Sequence, residues 1–150
     1  MTGDPYRDSI HIAAEPELVF DYFTSATALA RWMGDRAVVD PRPDGQFTIF
    51  FGDRRVEGHY LELDRPRRLV ISWGRAGSAS FPPGSSVLEV TLTPRDGGTL
   101  VAIAHSGLPG AERHRHADGW RHYLARLSLA AAGGEPAPHA TPGEIIRGAG

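Results

Sequence analysis

His105 and His116 are the residues of this chain whose type and setting most invite chemistry. His105 closes the alternation Val101, Ile103, His105, so a strand there turns its imidazole to the same side as its apolar neighbours. His116 stands four residues before Trp120, and at about 100° per residue the two share one helix face. Two inward imidazoles can hydrogen-bond a ligand carbonyl or exchange protons near neutral pH. A buried histidine can equally be held by backbone or hydroxyl groups and serve only packing. The sequence leaves both readings open.

Aromatic side chains supply the second kind of site. Phe20, Trp32, Phe47, Phe51, Tyr60, Trp73, Trp120 and Tyr123 can line a pocket for a small molecule, or fill a core. Three weaker constellations stand beside them. His114, Asp118 and His122 recur every four residues, a spacing that can chelate zinc, but on the helix face opposite Trp120 and beside Arg115 and Arg121, which repel a cation. Ser106 adjoins His105 without the sequence of a nucleophile elbow, and adjacent strand residues point to opposite faces. Residues 74–86 carry neither a phosphate-loop lysine nor a dinucleotide fingerprint.

The elements that must position these residues are legible from turn chemistry. Ser9–Ile12 alternates as a first strand. Pro16 suits the first turn of a helix whose inner face is read as Leu18, Val19, Tyr22 and Phe23. Thr24 or Ser25 can cap a second short helix, Ala26–Met33, which Gly34 ends. Strand candidates follow at Val38–Val39, Gln46–Phe51, Arg54–Leu63, Arg67–Trp73, Val87–Pro94 and Thr99–His105, separated by Asp-Gly and Gly-Asp corners. Such short connections make an antiparallel meander, because parallel neighbours need long crossovers. Phe47, Ile49 and Phe51 share one face of their strand, as do Leu69, Ile71 and Trp73. In Arg54–Leu63 the inward parity is ambiguous, since Tyr60 competes with Leu61 and Leu63.

Residues 74–86 read as a Gly-, Ser- and Pro-rich lid or rim loop, with Phe81 at its tip either closing a cavity or packing on another chain. From Ala111 to Ala132 the period is helical, with Trp120, Leu124, Leu127 and Ala131 on one face and Tyr123 beside them. Gly133 and Gly134 stop that helix. Residues 135–150 read as a disordered tail in which Ile145 and Ile146 can dock on the body or a partner.

Bulk properties narrow the classes. The chain has 150 residues, a net charge of −2 and no cysteine. One domain is expected, without disulfides, thiolate metal sites or a cysteine nucleophile. All 16 basic side chains are scattered arginines, so no basic field draws nucleic acid or an anionic membrane. Residues 1–9 lack the apolar core of a signal peptide, and no apolar run reaches the ~20 residues of a membrane span. A cytoplasmic domain is expected.

In this order of elements the chain resembles the SRPBCC (START-like, helix-grip) superfamily. Within it, it looks like the bacterial proteins similar to the C-terminal domain of the activator of heat-shock protein 90 ATPase. The resemblance rests on the segments 14–20, 29–33, 42–47, 58–64, 66–73 and 105–108, and on Gly119-Trp120-Arg121-His122-Tyr123-Leu124. It implies an α+β fold, a curved antiparallel sheet wrapped around a long C-terminal helix with two short helices after the first strand. It also implies a cavity for lipids, polyketides or other apolar molecules, or in a minority of members a cyclase site. It brings no catalytic motif to transfer.

The expectation is one START-like domain, residues 1–134, followed by the tail. It would bind a small apolar or amphipathic molecule through Phe47, Phe51, Tyr60, Trp73, His105, His116, Trp120 and Tyr123. An arginine at 54, 55, 65, 67 or 68, or Glu57, can anchor a polar head. No catalytic residue, metal or cofactor is assigned. Nucleic-acid and membrane partners are not expected, and a homodimer is possible through the Phe81 loop or the tail. The rival readings are a protein-interaction or stress-response module related to chaperone activators, and a cyclase-like enzyme with His105 as acid and base.

Overall fold

Turn residues and alternation produce one seven-stranded antiparallel sheet in the computed structural model, which describes residues 4–133. The strands are β1 (Tyr6–Ile12), β2 (Arg36–Val39), β3 (Gln46–Phe51), β4 (Arg54–Asp64), β5 (Arg68–Arg75), β6 (Ser86–Arg95) and β7 (Gly98–Ser106). Their spatial order is β1-β7-β6-β5-β4-β3-β2. Strands β2 to β7 are thus a meander, and β1 closes on the last of them. The helices α1 (Pro16–Thr24) and α2 (Ala26–Trp32) carry the chain from one sheet edge to the other, and α3 (Gly110–Ala131) lies across the inner face. This is the expected helix-grip α+β fold. Residues 135–150, with Ile145 and Ile146, lie outside the described residues.

Pro16 starts α1, and Val19, Phe20, Tyr22 and Phe23 are its buried residues. Leu18, expected on the inner face, is largely exposed instead. Phe20 draws the buried arc round the helix, and its centre falls about 120° from Leu18. Between the two candidate caps, Ser25 is the one used: its hydroxyl accepts from Ala28 N–H, while Thr24 bonds back to the Phe20 carbonyl oxygen.

The parity question in β4 is answered by a bulge. Tyr60 pairs with Ile71, the register then shifts, and Leu63 pairs with Leu69. Paired residues share a face, so Tyr60 and Leu63 both turn inward although they are an odd number of residues apart. Leu61 takes the outer side and is 46% exposed. Tyr60 is fully buried, and its hydroxyl donates to the Phe23 carbonyl oxygen at 2.7 Å, tying the sheet to the end of α1.

Hydrogen bonds hold the C-terminal half of α3 to the short helices. The Tyr22 hydroxyl donates to the Ala130 carbonyl oxygen at 3.1 Å, and Arg126 Nε donates to that of Trp32 at 3.1 Å. Tyr60→Phe should therefore lose about 1–3 kcal/mol in a urea titration, because it orphans a buried carbonyl. Leu61→Gln, one residue on, should change stability by less than about 0.5 kcal/mol.

Candidate functional site

Where α3 crosses β3 and β5, the packing leaves a small apolar cavity lined by Met33, Phe51, Trp73, His116, Gly119, Trp120 and Tyr123. Its volume is about 20 Å³, room for roughly one water molecule. Five of the eight expected residues meet there: Phe51, Trp73, His116, Trp120 and Tyr123. Phe47 and Tyr60 stack edge-on to each other in the adjacent core, and His105 stands behind the wall against Trp73 and Trp120. Met33 and Gly119 complete the lining. Glycine at 119 removes a side chain from the helix surface facing the void.

His105 is fully buried, and both its nitrogens are engaged within the chain. The Ser86 hydroxyl donates to the Trp73 carbonyl oxygen at 2.8 Å, so it meets His105 Nε2, 2.9 Å away, with a lone pair. The indole N–H of Trp120 can only donate, and it donates to His105 Nδ1 at 3.1 Å. These directions fix a neutral ring with its proton on Nε2. Burial, and then the neighbouring His116, hold the His105 pKa well below the usual imidazole value. In this geometry neither nitrogen is free to exchange a proton with a ligand.

His116 is arranged differently. Its Nδ1–H donates to the Glu112 backbone carbonyl oxygen at 3.0 Å, and the Glu112 carboxylate Oε1 lies 3.4 Å from the same nitrogen. The opposite nitrogen, Nε2, has no hydrogen-bond partner among the described residues, although the ring is only 5% exposed. Trp73 Nε1 is orphaned in the same way. Burial lowers the His116 pKa; Glu112 opposes that shift and Arg75 adds to it. The ring is therefore neutral at neutral pH and presents a bare lone pair at Nε2.

Glu112 joins the site without a place among the residues the sequence pattern marks. It is 4% exposed, and its Oε2 accepts from Arg75 Nη2 at 2.8 Å. A carboxylate so buried needs a partner, and Arg75 is the cation that holds it. The signal was present: Glu112 precedes His116 by four residues, the spacing that stacks side chains on one helix face.

Phe81 closes the arrangement from within its own chain. The loop between β5 and β6 folds back so that Phe81 is 1% exposed, edge-on to His116 with ring centres 5.3 Å apart. Arg75 N–H donates to the Phe81 carbonyl oxygen, and Ser78 Oγ accepts from Phe81 N–H. Gly74 makes this path possible: a Cβ there would fall 1.9 Å from the Pro82 carbonyl oxygen. Of the two roles open to Phe81 in the sequence, the structure adopts the inward one.

The remaining candidates lie elsewhere. His114, Asp118 and His122 are exposed, and Asp118 pairs with Arg121. Arg65, Arg67 and Arg68 pair with Asp21, Asp64, and Glu62 and Glu89, and Arg55 pairs with Glu57. None of these borders the cavity. No described helix is long and apolar enough to cross a membrane.

The sequence profile of the family "Activator of Hsp90 ATPase homolog 1-like protein" matches residues 13–132. The chain belongs to this family. Its fold is that of the AHSA1-like protein of Rhizobium etli, solved by NMR: 40% identity over 89% of this chain and 84% of that one, TM-score 0.67. The crystal structure of DynU16, a protein of the dynemicin biosynthetic locus, shares the fold at 21% identity, covering 91% of this chain and 50% of that one, TM-score 0.78. In sequence the chain is similar to the human activator of 90 kDa heat shock protein ATPase homolog 1, 24% identical over 109 residues. That match takes 72% of this chain but only 31% of the human protein, so the AHSA1 domain seen here is less than a third of that relative.

Two outcomes follow from the histidines. Ser86→Ala should cost about 1–3 kcal/mol in chemical denaturation, because it strands the buried Nε2–H of His105. Stability should also fall with acid. Both folded pKa values lie below the unfolded one of about 6.5, so the unfolded chain takes up protons first. The full stability is present above about pH 6.5 and is lost as pH drops below it toward the folded values. A urea midpoint that stays level from pH 7 down to about 5 would contradict the assignment of both rings as buried and neutral.

Proposed function

We propose that this AHSA1 domain binds a small apolar or amphipathic molecule between α3 and the sheet. One observation carries the reading. Two buried polar atoms, Trp73 Nε1 and His116 Nε2, are left without partners beside a cavity whose other walls are apolar. Buried polar groups are nearly always paired, and an orphan beside a void is what a ligand satisfies. Phe51, Trp120 and Tyr123 supply the wall, and the two nitrogens supply orientation. A cavity of about 20 Å³ is far below the roughly 300 Å³ of a small-molecule site, so on this reading the site enlarges, with Phe81, which packs on the lining residue His116 from outside the cavity, swinging out with its loop. His105 serves this reading as scaffold rather than as a ligand contact. A cytoplasmic setting goes with it.

A second reading, a module that contacts a chaperone or another protein, is favoured by the tight packing of the same core. The family name and the human relative point that way. Among the described residues, the large exposed apolar ones, Leu18, Val38, Leu61 and Leu129, belong to different elements, however, on α1, β2, β4 and α3.

Native mass spectrometry on gently purified protein, with solvent extraction of the same sample, separates the two. A reproducible small-molecule adduct that disappears in Trp73→Ala is the expected result. Protein that is unliganded and also refuses a panel of apolar fluorescent probes would favour the interaction module.

A further inference from the structure

We propose that the loop between β5 and β6 is an acid-released lid: charging His116 unseats Phe81, and residues 76–85 swing away from the N-terminal half of α3. The device stands whether or not the cavity binds a ligand.

His116 is the lock. Phe81 is held edge-on against its ring, with centres 5.3 Å apart, and both side chains are buried. In the neutral ring Nδ1–H is spent on the Glu112 carbonyl oxygen, and Nε2 has no partner among the described residues. A proton taken up at Nε2 turns that bare lone pair into a charged donor with no acceptor in the closed interior. Burying such a group unpaired is far costlier than burying the neutral ring, so the charged ring must be hydrated. One of the elements around it then has to move. On the sheet and α3 sides stand His105 and Trp120, which are tied into the hydrogen-bonded frame, whereas the loop is held to β5 by the backbone bond from Arg75 N–H to the Phe81 carbonyl oxygen.

The charges around the ring act in the same direction. From α3 come Glu112, whose unpaired Oε1 lies 3.4 Å from His116 Nδ1, and Arg115, 4.0 Å from Glu112 Oε2. From β5 comes Arg75, 2.8 Å from the same Oε2. From β7 comes His105, neutral, with its ring centre 5.2 Å from that of His116. Residues 76–85 carry no ionisable side chain. A charged His116 therefore competes with Arg75 for one carboxylate and is repelled by it. Arg75 also seats the lid: besides its backbone bond, its guanidinium stands 5.6 Å from the centre of the Phe81 ring. Hydrating His116 and loosening Arg75 thus act on one loop, and its ends are free to turn. Gly77 and Gly84 have φ of +79° and +82°, with no neighbouring atom within 4 Å of where a Cβ would stand.

The sign follows from linkage. Burial lowers the His116 pKa in the closed state, so the proton binds the open state better. Closure is fully favoured above the free imidazole value of about 6.5 and weakens as pH falls toward the closed-state value.

Amide exchange followed by NMR on the full chain tests this, each rate divided by the intrinsic rate at the same pH. The Arg75 amide is protected by the Phe81 carbonyl oxygen, a bond that only the seated loop makes, while the amides of β6 and β7 report global unfolding. From about pH 7.5 to about 5.0 the corrected Arg75 rate should rise about tenfold, and the strand rates by clearly less. His116→Gln and His116→Phe, which cannot be charged, should each leave the Arg75 rate level. A level Arg75 rate in the wild type, a slower one in acid, or a rise that merely matches the strands would overturn the lid. So would a rise that survives in a folded His116 variant. The wild-type contrast between Arg75 and the strands decides the matter even where a variant fails to fold.

Discussion

Four elements of this domain are joined by one buried relay: Trp120 indole to His105, His105 to Ser86, Ser86 to the carbonyl oxygen of Trp73. It crosses from α3 through β7 and β6 to β5. Every donor in it has one acceptor, and the directions are forced, because an indole can only donate and a carbonyl can only accept. In a dry interior an unmade bond of this kind costs about 1–3 kcal/mol, so the chain holds α3 at one rotation over the sheet. That rotation brings His116, one turn before Trp120, and Gly119 into the lining of the cavity. The site is thus a consequence of the relay, and His105 contributes to it without touching it.

A relay at one end would leave α3 free to pivot. The Tyr22 and Arg126 hydrogen bonds to backbone carbonyl oxygens fix the other end. The loop that carries Phe81 is held by lighter means: two backbone-centred hydrogen bonds, a cation over the Phe81 ring, and the close approach that Gly74 permits. The domain therefore has a stiff frame around the cavity and a smaller, separable plug. Local opening draws on regions with few buried contacts, and a loop anchored through one aromatic ring fits that description better than any strand of the sheet.

The fold was legible because its signals are local and repeated. Gln46–Phe51 is read from the sequence with the bounds that the structure gives it, since Asp-Gly and Gly-Asp corners fence it on both sides. Of the site, the inward direction of His105 and His116 followed from period alone. What period cannot supply is where a hydrogen bond ends. The two histidines look alike in the sequence, yet one is saturated by Ser86 and Trp120 and the other keeps a free nitrogen, because their partners come from elements distant in the chain. Tyr60 and Leu63 both face inward only through a bulge, and a bulge breaks the strict alternation on which the sequence reading depends. Leu18 turns outward, against its helical spacing, because one strong aromatic, Phe20, outweighs it in fixing the face of α1. Glu112 is illegible as a buried residue in the sequence because a carboxylate is ordinarily at the surface, and the arginine that draws it inside lies on β5, 37 positions away.

The closed cavity and the orphaned nitrogens are parts of one energetic arrangement. Burying a phenylalanine side chain is worth about 1.5–3 kcal/mol. A ligand that must first displace Phe81 forfeits that amount, and its apparent affinity falls by roughly one to two powers of ten relative to an open pocket. Apolar molecules too small to replace the phenyl ring would not recover the loss. A molecule that fills the same space and also pairs Trp73 Nε1 and His116 Nε2 gains two hydrogen bonds that the closed state lacks, worth about 1 kcal/mol each. On the proposed binding reading, the plug would act as a selectivity device. It sets a threshold that a shape match alone barely meets, and that a shape match with the right polar atoms exceeds. On that reading the orphans have a use: filling them with side chains of this protein would stabilise the empty domain and remove the margin by which it would prefer a ligand.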